Sequence, residues 1–228
     1  MNKKCYNCGI PMSDLKKENR TKEHIPAKTF FVGYPVDYKD QRKTVPACRI
    51  CNEEFAKIDD QLRDVIGILN NGDPNKSELT RKSVKKILTN KKELTDRITI
   101  NQNSIEVTFD KLILDSLHKK NFKGIYSLVK KNPISDDFKL DVYSAGNDEK
   151  KLSLGAEFRS EMERMGGWEK SGHEDVFKYK ICYFDFKTDT LKSFEESIIN
   201  YIFLVAALEY NKEITAIVVA AKPEIQNV

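Results

Sequence analysis

Two pairs of cysteines at identical spacing, Cys5-Tyr-Asn-Cys8 and Cys48-Arg-Ile-Cys51, constrain this chain more than any other feature. A Cys-x-x-Cys pair bends two thiolates toward one tetrahedral Zn²⁺, and two such pairs close a Cys₄ site with no open position. A site of that kind is structural. The gap between the pairs is about twice the usual ribbon interval, so a substantial insertion lies between the knuckles. The competing reading is redox cysteines. Cys182 alternates with aromatics in "YKICYF" and reads as a packed core thiol.

The bulk properties agree with a soluble, cytoplasmic protein. Of 228 residues, 32% are charged, and the mean hydropathy is −0.56. The longest apolar run, "IINYIFLVAAL" at 198–208, is too short to span a bilayer. The N-terminus lacks the apolar stretch of a secretory signal. In a reducing compartment, cysteines serve as ligands or free thiols rather than as disulfides. The net charge of +4 conceals an asymmetry of roughly +10 over residues 1–135 and roughly −6 over 136–228. Such a split suggests a half that faces nucleic acid. The densest basic run is "KSELTRKSVKKILTNKK", 76–92, which a solvated helix face would explain equally well.

Along the chain, 1–21 reads as a knuckle followed by polar loop. Short aromatic or β-branched runs at 27–34 and 43–47 suggest a hairpin. From Arg49, the residues Phe55, Ile58, Leu62, Val65, Ile66 and Leu69 recur at helical spacing until "NNGDP". Further helices are expected over 78–89, 91–97 and 111–131, with Gly124 a soft spot in the last. "RITINQNSIEVTFD" reads as a hairpin. "FKLDVYS", "DVFKYKICYFDF" and "ITAIVVAA" read as strands, while "IINYIFLVAAL" is either a strand or a buried helix. "MERMGGWEKSGHED" reads as a loop whose Trp168 caps the core. His118 and His173 read as surface residues. The fold class is therefore α+β in three parts: a zinc-stapled unit (1–72), a basic helical and hairpin segment (73–135) and an acidic, mainly antiparallel β region (136–228).

The insertion between the knuckles carries Glu23-His24, and Asn52 follows the second knuckle at once. Zinc would thus pin both ends of a unit bearing a carboxylate, an imidazole and an amide. These groups have natural roles in metal-assisted phosphodiester hydrolysis. A neutral histidine takes the proton of an attacking water. A hard cation, Mg²⁺ or Mn²⁺, offsets the developing charge and takes oxygen ligands such as Glu23 and Asn52. One turn beyond Asn52 on the same helix face is Ala56, which has no donor atom. Asn52 could also simply cap its helix.

The pattern Cys5-x-x-Cys8 … Glu23-His24-Ile25-Pro26 … Val45-Pro46-Ala47-Cys48-x-x-Cys51-Asn52 resembles the HNH endonucleases of the ββα-metal type, in the subgroup with a zinc ribbon around the nuclease motif. The resemblance covers about the first 65–70 residues. It implies that His24 is the general base and that Glu23 and Asn52 hold the divalent ion. It further implies DNA as the partner, with RNA as an alternative substrate, and a defence, restriction or mobile-element setting. Lys22, Lys28, Arg42, Lys43 and Arg49 are the basic residues closest to the motif and are candidates for phosphate contacts. Lys43 stands where the family carries the asparagine that braces the histidine. This departure keeps a second reading open, a zinc-dependent nucleic-acid-binding module whose nuclease has decayed. A third reading is a zinc-stapled protein-interaction adaptor. Asp60 is a candidate for bracing the site from two turns beyond Asn52. At about 1.5 Å per residue it lies too far along the axis to share that residue's metal. For the C-terminal region, target sensing, homodimerisation and regulation are all open.

Overall fold

The structure is a computed structural model and describes residues 3–69, 77–89, 98–100, 105–107, 111–143, 149–185, 201–212 and 214–223. It is an α+β fold with helices and antiparallel sheets. Among the described residues, no helix is long and apolar enough to cross a membrane. The helix expected at 91–97 lies outside the described residues.

The N-terminal unit is a two-stranded hairpin followed by helices. Strand β1 (Arg20–Ile25) pairs antiparallel with β2 (Lys43–Cys48), placing Glu23 opposite Val45 and His24 opposite Thr44. The expected strand at 27–34 is instead a 3₁₀ turn, Lys28–Phe31. Phe30 and Phe31 are neighbours that are both buried. A half-exposed strand would send them to opposite faces, whereas a tight turn drives both rings inward. Helix α1 (Arg49–Glu54) starts at Cys48, whose sulfur accepts from the Cys51 amide, and α2 (Ala56–Ile68) follows a break at Phe55. Leu62, Val65 and Ile66 form the buried stripe of α2. Helix α3 (Ser77–Thr89) packs on α2, with Ser83 against Gly67 and Leu79 fully buried. Part of the basic run is therefore structural: the Lys86 ammonium pairs with buried Asp64, which also pairs with Arg63.

Strands β3 (Ile98–Ile100) and β4 (Ile105–Val107) form the expected hairpin. Helix α4 (Lys111–Lys130) then crosses from the N-terminal unit to the sheet. The C-terminal sheet has the order β5-β9-β8-β7-β6, all antiparallel: β5 (Lys139–Tyr143), β6 (Glu169–Lys170), β7 (Phe177–Asp185), β8 (Tyr201–Tyr210) and β9 (Ile214–Pro223). From Tyr201 onward the run "IINYIFLVAAL" is strand, and its first three residues lie outside the described residues. Leu204, Ala206 and Leu208 join the cluster that includes α4 and the N-terminal unit, while Val205 and Ala207 pack with Phe158 and Met162 of helix α5 (Glu149–Arg164). Covered on both faces, β8 shows no alternation of polarity. Helix α5 begins upstream of the loop expected at 162–175 and takes in its first residues. Trp168 packs against the α5-side cluster, in keeping with a core-capping role.

One hydrophobic cluster runs from Cys5 to Ala220 and draws on all three segments of the chain. His118 is not a surface residue. It is fully buried on α4, with Nδ1 3.2 Å from the Tyr210 hydroxyl. A helix wedged between a hairpin and a sheet has little solvated surface, so even its polar side chains are enclosed. His173 is only partly exposed and stacks on Tyr38 at 3.7 Å between centroids.

Candidate functional site

The four cysteines converge as their spacing requires. Cys5 and Cys8 sit on the tight turn of the first knuckle, and Cys48 and Cys51 at the junction of β2 and α1. Their Sγ atoms all lie within 4.8 Å of one another, so they could hold a metal ion such as Zn²⁺. Cys5, Cys48 and Cys51 are buried and Cys8 is exposed. Burial pushes the Cys51 and Cys8 thiols up. At Cys5 burial acts the same way, but backbone N–H groups of Cys8, Cys48 and Asn7 outweigh it and hold the thiol below its ordinary value. Amides aimed at sulfur favour the thiolate that a metal needs. Asn7 donates to Cys51 Sγ at 3.5 Å and accepts from Lys123 of α4 at 3.1 Å, so the helix also braces the knuckle.

Beside this cluster, the hairpin and α1–α2 enclose a pocket of about 300 Å³. It is lined by Lys22, Glu23, His24, Lys28, Asn52, Asp59 and Asp60, among others. The three residues singled out from sequence as a chemical set thus share one cavity. Glu23 is 5% exposed, and His24 and Asn52 are half-buried. Burial lowers the His24 pKa to about 4, with the charges of Lys28 and Arg42 acting in the same direction. The imidazole is therefore neutral at pH 7 and able to accept a proton. Its Nδ1 is enclosed and has no hydrogen-bond partner among the described residues.

Lys43 does not brace that ring. Its ammonium reaches away to Glu169 Oε2 and the Tyr179 hydroxyl, both at 2.6 Å. The other basic candidates divide. Lys22 and Lys28 are exposed at the pocket rim. Arg42 lies over the Phe31 ring at 5.5 Å and donates to the Lys39 carbonyl, while Arg49 pairs with Glu53 on the surface. Asp60 lines the pocket and pairs with Arg63 at 3.1 Å.

Two further residues complete the site, Asp59, which the helix phase places near the face of Asn52, and Lys120, which the sequence reading did not single out. Lys120 of α4 has a side chain with no exposure, and its Nζ lies 2.5 Å from Asp59 Oδ2 and 3.1 Å from Glu23 Oε1. Burial raises the pKa values of both carboxyls, and the ammonium opposes this. Asp59 is 3% exposed, and its Oδ1 has no hydrogen-bond partner among the described residues. A faint signal existed: Lys120 stands three residues after Leu117 and four before Gly124, within an apolar helical stripe. The pocket thus offers oxygen donors from Glu23, Asn52 and Asp59 with a neutral imidazole alongside, a set suited to a hard divalent cation.

The chain matches no protein-family model, no curated protein and no solved structure at a significant level.

Proposed function

We propose that the chain is a metal-dependent endonuclease of the HNH, ββα-metal type that hydrolyses DNA phosphodiester bonds in the cytoplasm, in a restriction or defence setting. One observation carries this reading: Glu23, His24 and Asn52 line a single pocket on a hairpin–helix unit whose two ends meet at a Cys₄ cluster.

In this mechanism Zn²⁺ at Cys5, Cys8, Cys48 and Cys51 has a structural role. Glu23 and Asn52 would hold Mg²⁺ or Mn²⁺, which offsets charge on the scissile phosphate and on the leaving oxygen. His24 takes the proton of the attacking water. Its ring is neutral at working pH, and with Nδ1 enclosed the proton goes to Nε2. Lys22 and Lys28 at the rim hold the backbone phosphates, so affinity falls as salt rises.

A second reading, a zinc-dependent nucleic-acid-binding module without catalysis, is favoured by the unbraced His24 Nδ1 and by the engagement of Lys43 elsewhere. Supercoiled plasmid incubated with Mg²⁺ or Mn²⁺ at low salt separates the two. The nuclease reading expects nicking or linearisation by wild type and a loss of about 10²-fold or more in His24→Ala. Retardation of the plasmid by both proteins without cleavage would establish the binding module instead.

A further inference from the structure

The proposed chemistry makes no use of the buried ammonium of Lys120, which contacts two of the carboxylates that line the pocket. That ammonium is shared between Glu23 on β1 and Asp59 on α2, and it arrives from α4, 68 residues beyond Asn52, where the motif ends. Two enclosed carboxylates and one ammonium leave a net charge of −1. A buried lysine of this kind persists only where carboxylates compensate its lost hydration. The same compensation means that Glu23 is already partly neutralised when a divalent ion arrives. Asp59 keeps one oxygen, Oδ1, with no hydrogen bond among the described residues, in a residue that lines the same cavity.

Resting on the nuclease reading above, we propose that Lys120 is a positioning residue that competes with the divalent ion for Glu23, with Asp59 the second carboxylate to which its ammonium retreats when the ion binds. The affinity of the site for Mg²⁺ or Mn²⁺ is then set from α4, outside the hairpin–helix unit. Glu23 is held in place in the metal-free protein at the cost of weak ion uptake. The two enclosed carboxylates need a counter-charge, and removal of the ammonium leaves that place to a divalent cation, which both carboxylates then attract.

The test is Mn²⁺ binding to the zinc-loaded full chain, read as loss of the free-ion signal in electron paramagnetic resonance. Zinc content and circular dichroism serve as controls. Lys120→Met is expected to bind Mn²⁺ about tenfold or more tightly than wild type, a gain that mere loosening of the structure would not give. Lys120→Arg retains the charge and stays within about threefold of wild type. Lys120→Met combined with Asp59→Asn restores a charge of −1 and returns the affinity toward wild type. Asp59→Asn alone leaves Lys120 to Glu23 and weakens Mn²⁺ binding. It also decides the matter if Lys120→Met does not fold. Unchanged Mn²⁺ affinity in folded Lys120→Met, or in Asp59→Asn, overturns the proposal. Failure of the nuclease reading looks different: Mn²⁺ binds and responds to these substitutions, yet plasmid is not cut.

Discussion

The two ends of the molecule are built on different physics. The N-terminal unit has a two-stranded hairpin, short turns and a pocket lined with charged groups. Its two ends meet at four sulfurs within 4.8 Å of one another. The C-terminal sheet has five strands, with β8 enclosed on both faces. One region gathers polar groups beside four thiols that could hold a metal ion. The other gains stability from apolar burial and supplies a rigid backing. Between them lies α4, which touches both.

Removal of the metal is the largest expected perturbation. A structural Zn²⁺ site contributes on the order of 10 kcal/mol of apparent folding free energy at neutral pH. Chelation, or Cys48→Ser, should abolish hydrogen-exchange protection along β1 and β2 and with it any activity. The amides of β8 and β9 should stay protected. Equal loss in both regions would break the comparison and make the chain a single cooperative unit.

Acid probes the opposite region. His118 is buried against Tyr210 of β8, and burial lowers its pKa to about 3, with the Lys111 charge acting in the same direction. Between the ordinary histidine value near 6.5 and about 3, the unfolded chain binds a proton that the folded chain does not. Stability therefore falls as pH drops through that window, by at most about 1.4 kcal/mol per pH unit from this residue. Below it, the contribution is flat. His24 adds a loss of the same sign down to about pH 4. Urea unfolding between pH 6.5 and 4 should show the slope, and His118→Phe should flatten it while lowering stability at neutral pH. A slope unchanged in that variant would place the acid sensitivity in the N-terminal unit.

Helix α4 connects the two, and at Gly124 it packs against Ile25 of β1. A β-carbon there would stand 2.6 Å from Ile25 Cγ1, with Cδ1 closer still, and Ile25 directly follows His24. Gly124→Ala is expected to cost about 1–3 kcal/mol through overpacking, despite the better helix propensity of alanine. It should also lower cleavage by moving β1. Thermal unfolding and plasmid nicking together measure the coupling. A stabilised and fully active variant would mean that the contact is loose.

How much of this was legible from sequence follows the range of the interactions. The Cys₄ cluster was legible because each pair fixes its own geometry over four residues. Glu23, His24 and Asn52 were legible as a set because they lie between and directly after the two cysteine pairs, and they line one pocket. Lys120 was not found. Its partners are 97 and 61 residues away in sequence, and for a lysine among lysines a place in an apolar stripe is only a faint sign of burial. Phe30 and Phe31 suggested a strand because their inward turn depends on neighbours far along the chain. Among these is Gly172, whose lack of a β-carbon lets the backbone pass the Phe31 ring and the Tyr38 carbonyl, at a φ of +73°. Helix α5 escaped notice because its apolar stripe is narrow, with Phe158 and Met162 its buried hydrophobics among the described side chains.

The smallest effect is expected where the two regions meet through charge. Lys43 of β2 reaches Glu169 of β6 and the Tyr179 hydroxyl of β7, but the ammonium and its carboxylate partner are 33% and 54% exposed. Water and salt screen such a pair, so its stabilisation is at most about 1 kcal/mol. Lys43→Met should change the urea midpoint little. It should also leave DNA affinity and its salt dependence unchanged, because the ammonium is already held by the sheet rather than offered to phosphate. Lys22→Ala and Lys28→Ala, at the pocket rim, should by contrast each reduce the salt slope by about one counterion. A larger stability loss in Lys43→Met than in Gly124→Ala would reverse the ranking of the two junctions: the sheet would then hold the N-terminal unit by an ion pair rather than by the packing of α4 on Ile25.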